Sequence, residues 1–180
     1  PDQAAPEGKE WHEIRVTIDS GACDHVIPPS EISPKDVYAT EAVKNKVIYN
    51  SASGHSLPNL GEVRVEGYTE EGHNLNLTMQ VVGVKKPLAS VRKMCSAGNR
   101  VVFEESDSGI FGGYVEHKES STKIPISKEN GTYSVGVWAL RDKSMSARFP
   151  GAFEALGDSD ADDEVEEDGP IASSSFHRPA

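Results

Sequence analysis

The sequence predicts an all-β fold with one short helix. Several short runs alternate apolar with polar side chains, and turn residues separate them at intervals of about eight to twelve residues, which is typical of barrels and sandwiches. Only residues 92–97 form a helix candidate, with Gly98 placed to end it. At 180 residues the chain has room for one domain of ordinary size and tails.

The first predicted strand covers residues 13–18 and ends at an acidic turn. Ile14, Val16 and Ile18 alternate with polar residues, the period of two of a strand with one buried face. Residues 1–10 are polar, with two prolines and a glycine, and are interpreted as a flexible lead-in. A second short strand is predicted within residues 22–27. It should end there, because the prolines that follow remove donors for strand pairing.

The middle of the chain predicts a loop over residues 30–40, a strand over 43–49, a polar turn over 50–54 and a hairpin. The hairpin strands are residues 62–68 and 75–81, and their short connection predicts antiparallel pairing. Beyond the helix candidate, four more β-rich runs follow, at residues 101–103, 110–115, 122–127 and 132–140. The folded domain is therefore predicted to cover residues 11–140.

Composition excludes several classes of protein. The net charge is −11, but eight acidic residues lie between Asp158 and Asp168, so the rest of the chain carries only −3. Without a basic stripe we expect no direct nucleic-acid binding. No apolar run reaches the length of a membrane span, and two cysteines, Cys23 and Cys95, favour a reduced, intracellular setting. Residues 141–180 carry too few apolar side chains for a core and are predicted to be a disordered acidic tail.

The joint pattern of three motifs resembles the retropepsin-like aspartic protease of copia-type retrotransposon polyproteins. The family shows an apolar strand followed by D-S-G-A, a polar pair and His, and this chain has the same order from Ile18 to His25. About seventy residues later, Pro87-Leu88-Ala89-Ser90-Val91 and the helix candidate stand where the family has N-L-L-S-V and its helix. A glycine, an aliphatic pair and Phe103 follow. Residues 104–140, with Gly131-Thr132-Tyr133, resemble the start of the pre-integrase region.

The resemblance implies a closed β-barrel with a flap hairpin, and an aspartic endopeptidase without a metal or cofactor. Such an enzyme activates water between two carboxylates that share one proton. Because one motif has the apolar lead-in, the resemblance implies a homodimer with Asp19 from each subunit, Ser20 and Gly21 being the remaining catalytic-loop residues. It further implies a polyprotein or peptide substrate and an intracellular location, in the cytoplasm or within retrotransposon particles. The residues expected to bind substrate are Ala22, Ser51, Ala52, Ser53, Gly54, Leu88 and Ala89.

The flap is expected within residues 47–63, about thirty residues past Asp19, with its tip at 51–54. For any particular tip residue, a place in an ordinary exposed hairpin is as well supported as a role in a flap. This chain also departs from the family, since Ala89 replaces the usual Leu and Cys23 replaces Ser or Thr.

Three alternatives remain open. Asp107-Ser108-Gly109 repeats the D-S-G pattern, but polar Glu104-Glu105-Ser106 precedes it and favours a solvated turn. Cys23 and His25 lie two residues apart and could form a thiol or metal site, although no third ligand or orienting group is visible. The third alternative is a catalytically inactive β-barrel remnant that serves as a binding module.

Overall fold

The computed structural model describes residues 3–105, 109 and 111–145, and it confirms the all-β character of the fold. This part of the chain forms ten strands and two short α-helices. The strands are β1 (Lys9–Asp19), β2 (Val26–Ile27), β3 (Ile48–Asn50), β4 (Ser56–Tyr68), β5 (Asn74–Val82), β6 (Leu88–Ser90), β7 (Asn99–Phe103), β8 (Phe111–His117), β9 (Thr122–Glu129) and β10 (Thr132–Asp142). The helices are α1 (Glu41–Lys44) and α2 (Val91–Ser96), and 3-10 turns occupy Pro29–Glu31, Pro34–Asp36 and Lys143–Met145.

The strands pair in the order β3-β4-β5-β2-β6-β1-β10-β9-β8-β7. A further pairing joins β4 to β10 at Tyr68 with Trp138 and Gly67 with Ala139. This pairing closes six strands, β4, β5, β2, β6, β1 and β10, into a ring. A Cβ atom on Gly67 would lie 2.4 Å from the carbonyl oxygen of Trp138, so the close approach that closes the ring requires glycine there.

Strand β1 is held on both of its edges. On one side β10 pairs with it antiparallel over nine positions, from Lys9 with Asp142 to Thr17 with Ser134. On the other side β6 runs parallel to its last three residues. The end of β1 is therefore anchored by two segments that are distant from it in sequence.

The core lies inside the ring and against the β8–β9 layer. Ile14, Val16 and Ile18 on β1 are buried, as the period of two predicts, and Val135 and Val137 of the neighbouring β10 join them. Each such side chain contributes roughly 1.5–3 kcal/mol through burial. The alternation therefore fixes which face of β1 points inward.

Two predicted strands are shorter than expected. Helix α1 (Glu41–Lys44) includes the first two residues of the predicted strand 43–49. Glu41 in its first turn pairs with Lys44 at 2.6 Å, a charge order that suits the helix dipole. The predicted strand within 22–27 is wrong except for β2. There the side chain of Asp24 accepts the N–H of His25, and Arg92 donates to the carbonyl oxygen of Cys23, so these two backbone groups are bonded to side chains instead of a neighbouring strand.

Helix α2 confirms the predicted helix within one residue, and Gly98 follows it with φ of +84°, the left-handed conformation that ends helices. The antiparallel hairpin is confirmed by the pairing of β4 with β5. Strand β1 begins at Lys9, inside the predicted lead-in, and β10 continues past residue 140 to Asp142. Most of the predicted tail lies outside the described residues. None of the helices described is long and apolar enough to cross a membrane.

Candidate active site

The turn at residues 19–22, here called the Asp19 turn, follows directly from the end of β1. The backbone N–H of Gly21 donates a 2.7 Å hydrogen bond to Oδ1 of Asp19, which fixes the carboxylate over the turn. Asp19 is half-buried, whereas Ser20 and Gly21 are exposed. The turn thus presents a fixed carboxylate at the protein surface.

Strand β6 and the start of helix α2 hold this turn in place through strand pairing and a side-chain hydrogen bond. Ile18 pairs with Ala89 and Asp19 with Ser90 in the parallel arrangement of β1 and β6. Ser90 is fully buried, and its hydroxyl donates a 2.6 Å hydrogen bond to the carbonyl oxygen of Ala22. The hydroxyl oxygen of Ser90 also accepts a bond from the N–H of Lys93 at 3.3 Å and so caps α2. One hydroxyl therefore connects the turn to the helix.

Residues 23–25 are held against α2 as well. Arg92 donates a 2.7 Å bond to the carbonyl oxygen of Cys23, and the Lys93 ammonium lies 3.0 Å from Oδ1 of Asp24. Nδ1 of His25 accepts a 3.1 Å bond from the N–H of Ser90. Burial lowers the pKa of His25 and outweighs the opposing effect of Asp24, while Lys93 lowers it further. A neutral imidazole is what this acceptor role requires.

The Cys23–His25 alternative gains no support from this geometry. Cys23 is exposed, and Nδ1 of His25 is occupied by the backbone of Ser90. Among the residues that the structure describes, no three His, Cys, Asp or Glu side chains form a group able to hold a metal ion. The repeated D-S-G motif at Asp107 lies mostly outside the described residues.

Strands β3 and β4 form a hairpin at the position expected for the flap. Its strands pair from Ile48 with Pro58 to Asn50 with Ser56. At the tip the N–H of Ser51 donates to the carbonyl oxygen of His55 at 2.9 Å, and the N–H of His55 donates to Oγ of Ser51 at 2.9 Å. Among the four tip residues 51–54, Ser51 is half-buried and the others are exposed. We call residues 48–58 the covering hairpin.

One side chain connects the covering hairpin to the residues that follow the Asp19 turn. Tyr49 points its hydroxyl at Oδ2 of Asp24, 3.4 Å away. Burial and the Asp24 charge raise the pKa of Tyr49 to about 12, so this hydroxyl remains a protonated donor at neutral pH.

A bulge and a polar network form the base of the covering hairpin. The strand register shifts between Asn59 and Gly61, and Asn59 accepts a 2.8 Å bond from the N–H of Gly61. Asn59 also donates to Gln80 at 2.7 Å, and Gln80 donates to Glu62 at 2.6 Å. Tyr38 completes the chain with a 2.6 Å bond to Glu62. The bulge and these bonds set the angle at which the hairpin leaves the sheet.

Leu88 and Ala89 lie behind the Asp19 turn rather than at the surface. Ala89 is 2% exposed and lines an apolar core cavity of about 40 Å³, together with Ile18 and Met94 among others. Leu88 is half-buried. In the single chain Ala89 is a core residue beside the turn, and its contact with substrate stays a prediction.

Two open grooves lie elsewhere on the surface. One of about 500 Å³ lies between β1, β4 and β10 and contains the contact of His12 Nε2 with Glu31 Oε2, 3.0 Å apart. The other, of about 440 Å³, lies between β5, α2 and β8. Neither is lined by the Asp19 turn. At about 3.3 Å per residue of strand, His12 is roughly 23 Å from Asp19.

Sequence reasoning found the Asp19 turn and the hairpin but missed Tyr49, Asp24, Asn59 and Gln80 as parts of one connected region. Tyr49 and Asp24 are 25 residues apart, and no local pattern marks them as partners. Comparisons of the chain with protein-family models, with curated proteins and with solved structures gave no match.

Proposed function

We propose that this protein is an aspartic endopeptidase of retropepsin-like barrel fold that acts as a homodimer and cleaves segments of a retrotransposon polyprotein inside the cell. The observation that carries the proposal is the Asp19 carboxylate, which accepts the N–H of Gly21 at 2.7 Å in a turn with an exposed face. A carboxylate fixed in this way is suited to hold a water molecule against a peptide bond. No metal or cofactor is required.

The mechanism assigns the reaction to two copies of Asp19. Like charges about 3 Å apart cannot both ionise, so the pair shares one proton. The ionised carboxylate takes a proton from the attacking water, and the protonated one donates to the peptide carbonyl oxygen as the tetrahedral intermediate forms. The carboxylate that took the proton of the water then gives it to the leaving nitrogen and the C–N bond breaks. The other carboxylate takes a proton from a hydroxyl of the intermediate as the product carboxyl group forms, so the pair again shares one proton.

The second subunit accounts for the position of the surface grooves. Neither groove reaches the Asp19 turn, because a cleft between two subunits exists only after they dock about a two-fold axis. The exposure of Ser20 and Gly21 leaves room for that approach. The covering hairpin would then close over the peptide and exclude water.

The test replaces Asp19 with Asn, which keeps the shape of the side chain but removes the charge. Cleavage of a peptide library should fall at least a thousandfold while circular dichroism stays unchanged, whereas the matched variant Asp36→Asn, at an exposed carboxylate in a 3-10 turn, should keep full activity. Peptidase activity that survives in Asp19→Asn contradicts the proposal.

Mixing tests the dimer. Excess Asp19→Asn protein should suppress wild-type activity, because mixed dimers contain one intact carboxylate. Activity that follows only the amount of wild-type chain would show that one subunit is sufficient.

The groove of about 500 Å³ favours the alternative, an inactive binding module, because it is a preformed concave surface that contains polar and aromatic side chains. The same experiment separates the two functions. If wild type and Asp19→Asn are equally inactive on every peptide under conditions where the purified chain is dimeric, the binding module is the better description.

A further inference from the structure

Asp24 is the residue at which the parts of the candidate site meet. Its Oδ1 accepts the N–H of His25 at 2.9 Å and lies 3.0 Å from the ammonium of Lys93 on α2. Its Oδ2 accepts the hydroxyl of Tyr49, from the covering hairpin, at 3.4 Å. One carboxylate therefore binds its own loop and the helix through one oxygen and the hairpin through the other.

These contacts differ in strength. The two at Oδ1 have ordinary hydrogen-bond lengths, and one of them is charge-assisted. The Tyr49 contact is long for an O–H···O bond, whose usual range is about 2.5–3.0 Å. Asp24 is therefore fixed to the loop and helix, and its contact with the hairpin is the one that breaks most easily.

A breakable contact at this position has a consequence for substrate entry. Tyr49 is in β3, whose pairing with β4 carries the exposed tip at residues 51–54. When the hydroxyl leaves Asp24, the hairpin is free to rise while its own pairing and the base network stay intact. A peptide can then enter, and re-formation of the contact returns the hairpin to its covering position.

We propose that Asp24 is a positioning residue, and that its contact with the Tyr49 hydroxyl is a releasable latch that holds the covering hairpin against the residues that follow the Asp19 turn. The inference rests on the proposed peptidase function for its effect on catalysis. The contact of Asp24 with the hairpin, and its effect on hairpin motion, do not depend on activity. The two can therefore be tested separately.

The first measurement is amide nitrogen relaxation of residues 48–58 in wild type, Tyr49→Phe and Tyr114→Phe. Tyr49→Phe removes only the hydroxyl and should increase hairpin motion. Tyr114→Phe makes the same chemical change on β8, where Lys123 lies over the ring, and should leave the hairpin unchanged. Equal hairpin motion in all three proteins overturns the latch, whether or not the protein is a peptidase.

The second measurement is kinetic. Because the covered state becomes less populated, Tyr49→Phe should raise KM about two- to tenfold, the range expected for one hydrogen bond, and change kcat by less than about twofold. Asp24→Ala should raise KM at least as much, because it also removes the bonds at Oδ1. Adding Tyr49→Phe to Asp24→Ala should change KM little further, since the acceptor of the Tyr49 hydroxyl is already gone. Additive effects, or a loss confined to kcat, would contradict the latch. Inactive wild type would count against the proposed function alone.

Discussion

Asp19 and Ser90 lie opposite each other at the ends of the parallel strands β1 and β6, and the hydroxyl of Ser90 reaches past this pairing to the carbonyl oxygen of Ala22 at 2.6 Å. The candidate catalytic turn is thus bonded at both ends, by the strand before it and by a buried side chain 68 residues later. This arrangement explains how a surface turn can keep one geometry.

Ser90→Ala should destabilise the protein by about 1–3 kcal/mol, because the carbonyl of Ala22 loses its bond from a fully buried hydroxyl. Denaturant unfolding measures the change. Ser96→Ala, which removes an exposed hydroxyl on the same helix, should change stability by less than about 0.5 kcal/mol. Equal effects of the two changes would show that the Ser90 bond does not support the turn.

Gly61→Ala should also destabilise the protein, by about 1–3 kcal/mol or more. Gly61 has φ of +147°, and a Cβ there would lie 2.4 Å from Cγ1 of Val37 and 3.0 Å from the carbonyl oxygen of Tyr38. Gly83→Ala is the matched control, since nothing lies within 4 Å of its Cβ position. Thermal unfolding of the pair gives the comparison, and a tolerated Gly61→Ala would contradict the bulge as a constraint on the hairpin base.

Ala89→Val should stabilise the protein by up to roughly 1.6 kcal/mol. The two added methyl groups enter the apolar cavity of about 40 Å³ beside Ala89, and each buried methylene-sized group contributes about 0.8 kcal/mol. A β-branched residue also suits strand β6. The change in midpoint of denaturant unfolding tests this, and a lower midpoint would mean that the site is overpacked by Val, which typically costs about 1–3 kcal/mol. Ala52→Val at the exposed tip should leave the midpoint unchanged.

Stability should fall with acidification below pH 6.5, the ordinary pKa of histidine. Because burial lowers the pKa of His25, the unfolded chain binds this proton more readily than the folded one. The stability contributed by neutral His25 is therefore complete above pH 6.5 and is lost as pH falls through the lowered value. Protonation also removes the acceptor for the N–H of Ser90.

His25→Asn keeps an acceptor oxygen without titrating, so its unfolding free energy should vary less with pH over this window. His55→Asn, at the exposed hairpin tip, is the control for the loss of a histidine elsewhere in the chain. Identical curves for all three proteins would exclude His25 as the source. The same protonation of His25 would remove its bond to Ser90, next to the Asp19 turn, at low pH. Peptidase activity should therefore also decrease as the pH falls through this window.

Local patterns in the sequence predicted the elements that are determined by their own residues and not by contacts with distant segments. The alternation in residues 13–18 and 75–81 gave strands with the correct buried face, and Gly98 ended the predicted helix. Residues 43–49 misled because Val43, Val47 and Ile48 suit a strand, whereas the charges of Glu41 and Lys44 favour a helical turn. Local propensity could not decide between them.

The parts that could not be predicted depend on pairs far apart in sequence. Nothing near Asp24 indicates that Tyr49 and Lys93 will reach its two oxygens, and nothing in residues 132–142 indicates pairing with β1. The Asp19 turn was recognisable because a strand, a carboxylate and a glycine are adjacent. Its supports were not, because each comes from a different segment.

The pairing of β1 with β10 also determines when the Asp19 turn can first form. Thr17 and Ser134 are partners, so a ribosome that has made the carboxylate must add more than a hundred residues before the neighbouring strand exists. At about 5–20 residues per second this delay lasts several seconds or longer. A nascent chain therefore carries its Asp19 without a complete strand around it. A chain truncated between Asp19 and Thr132 would lack β10 and with it the antiparallel partner of β1.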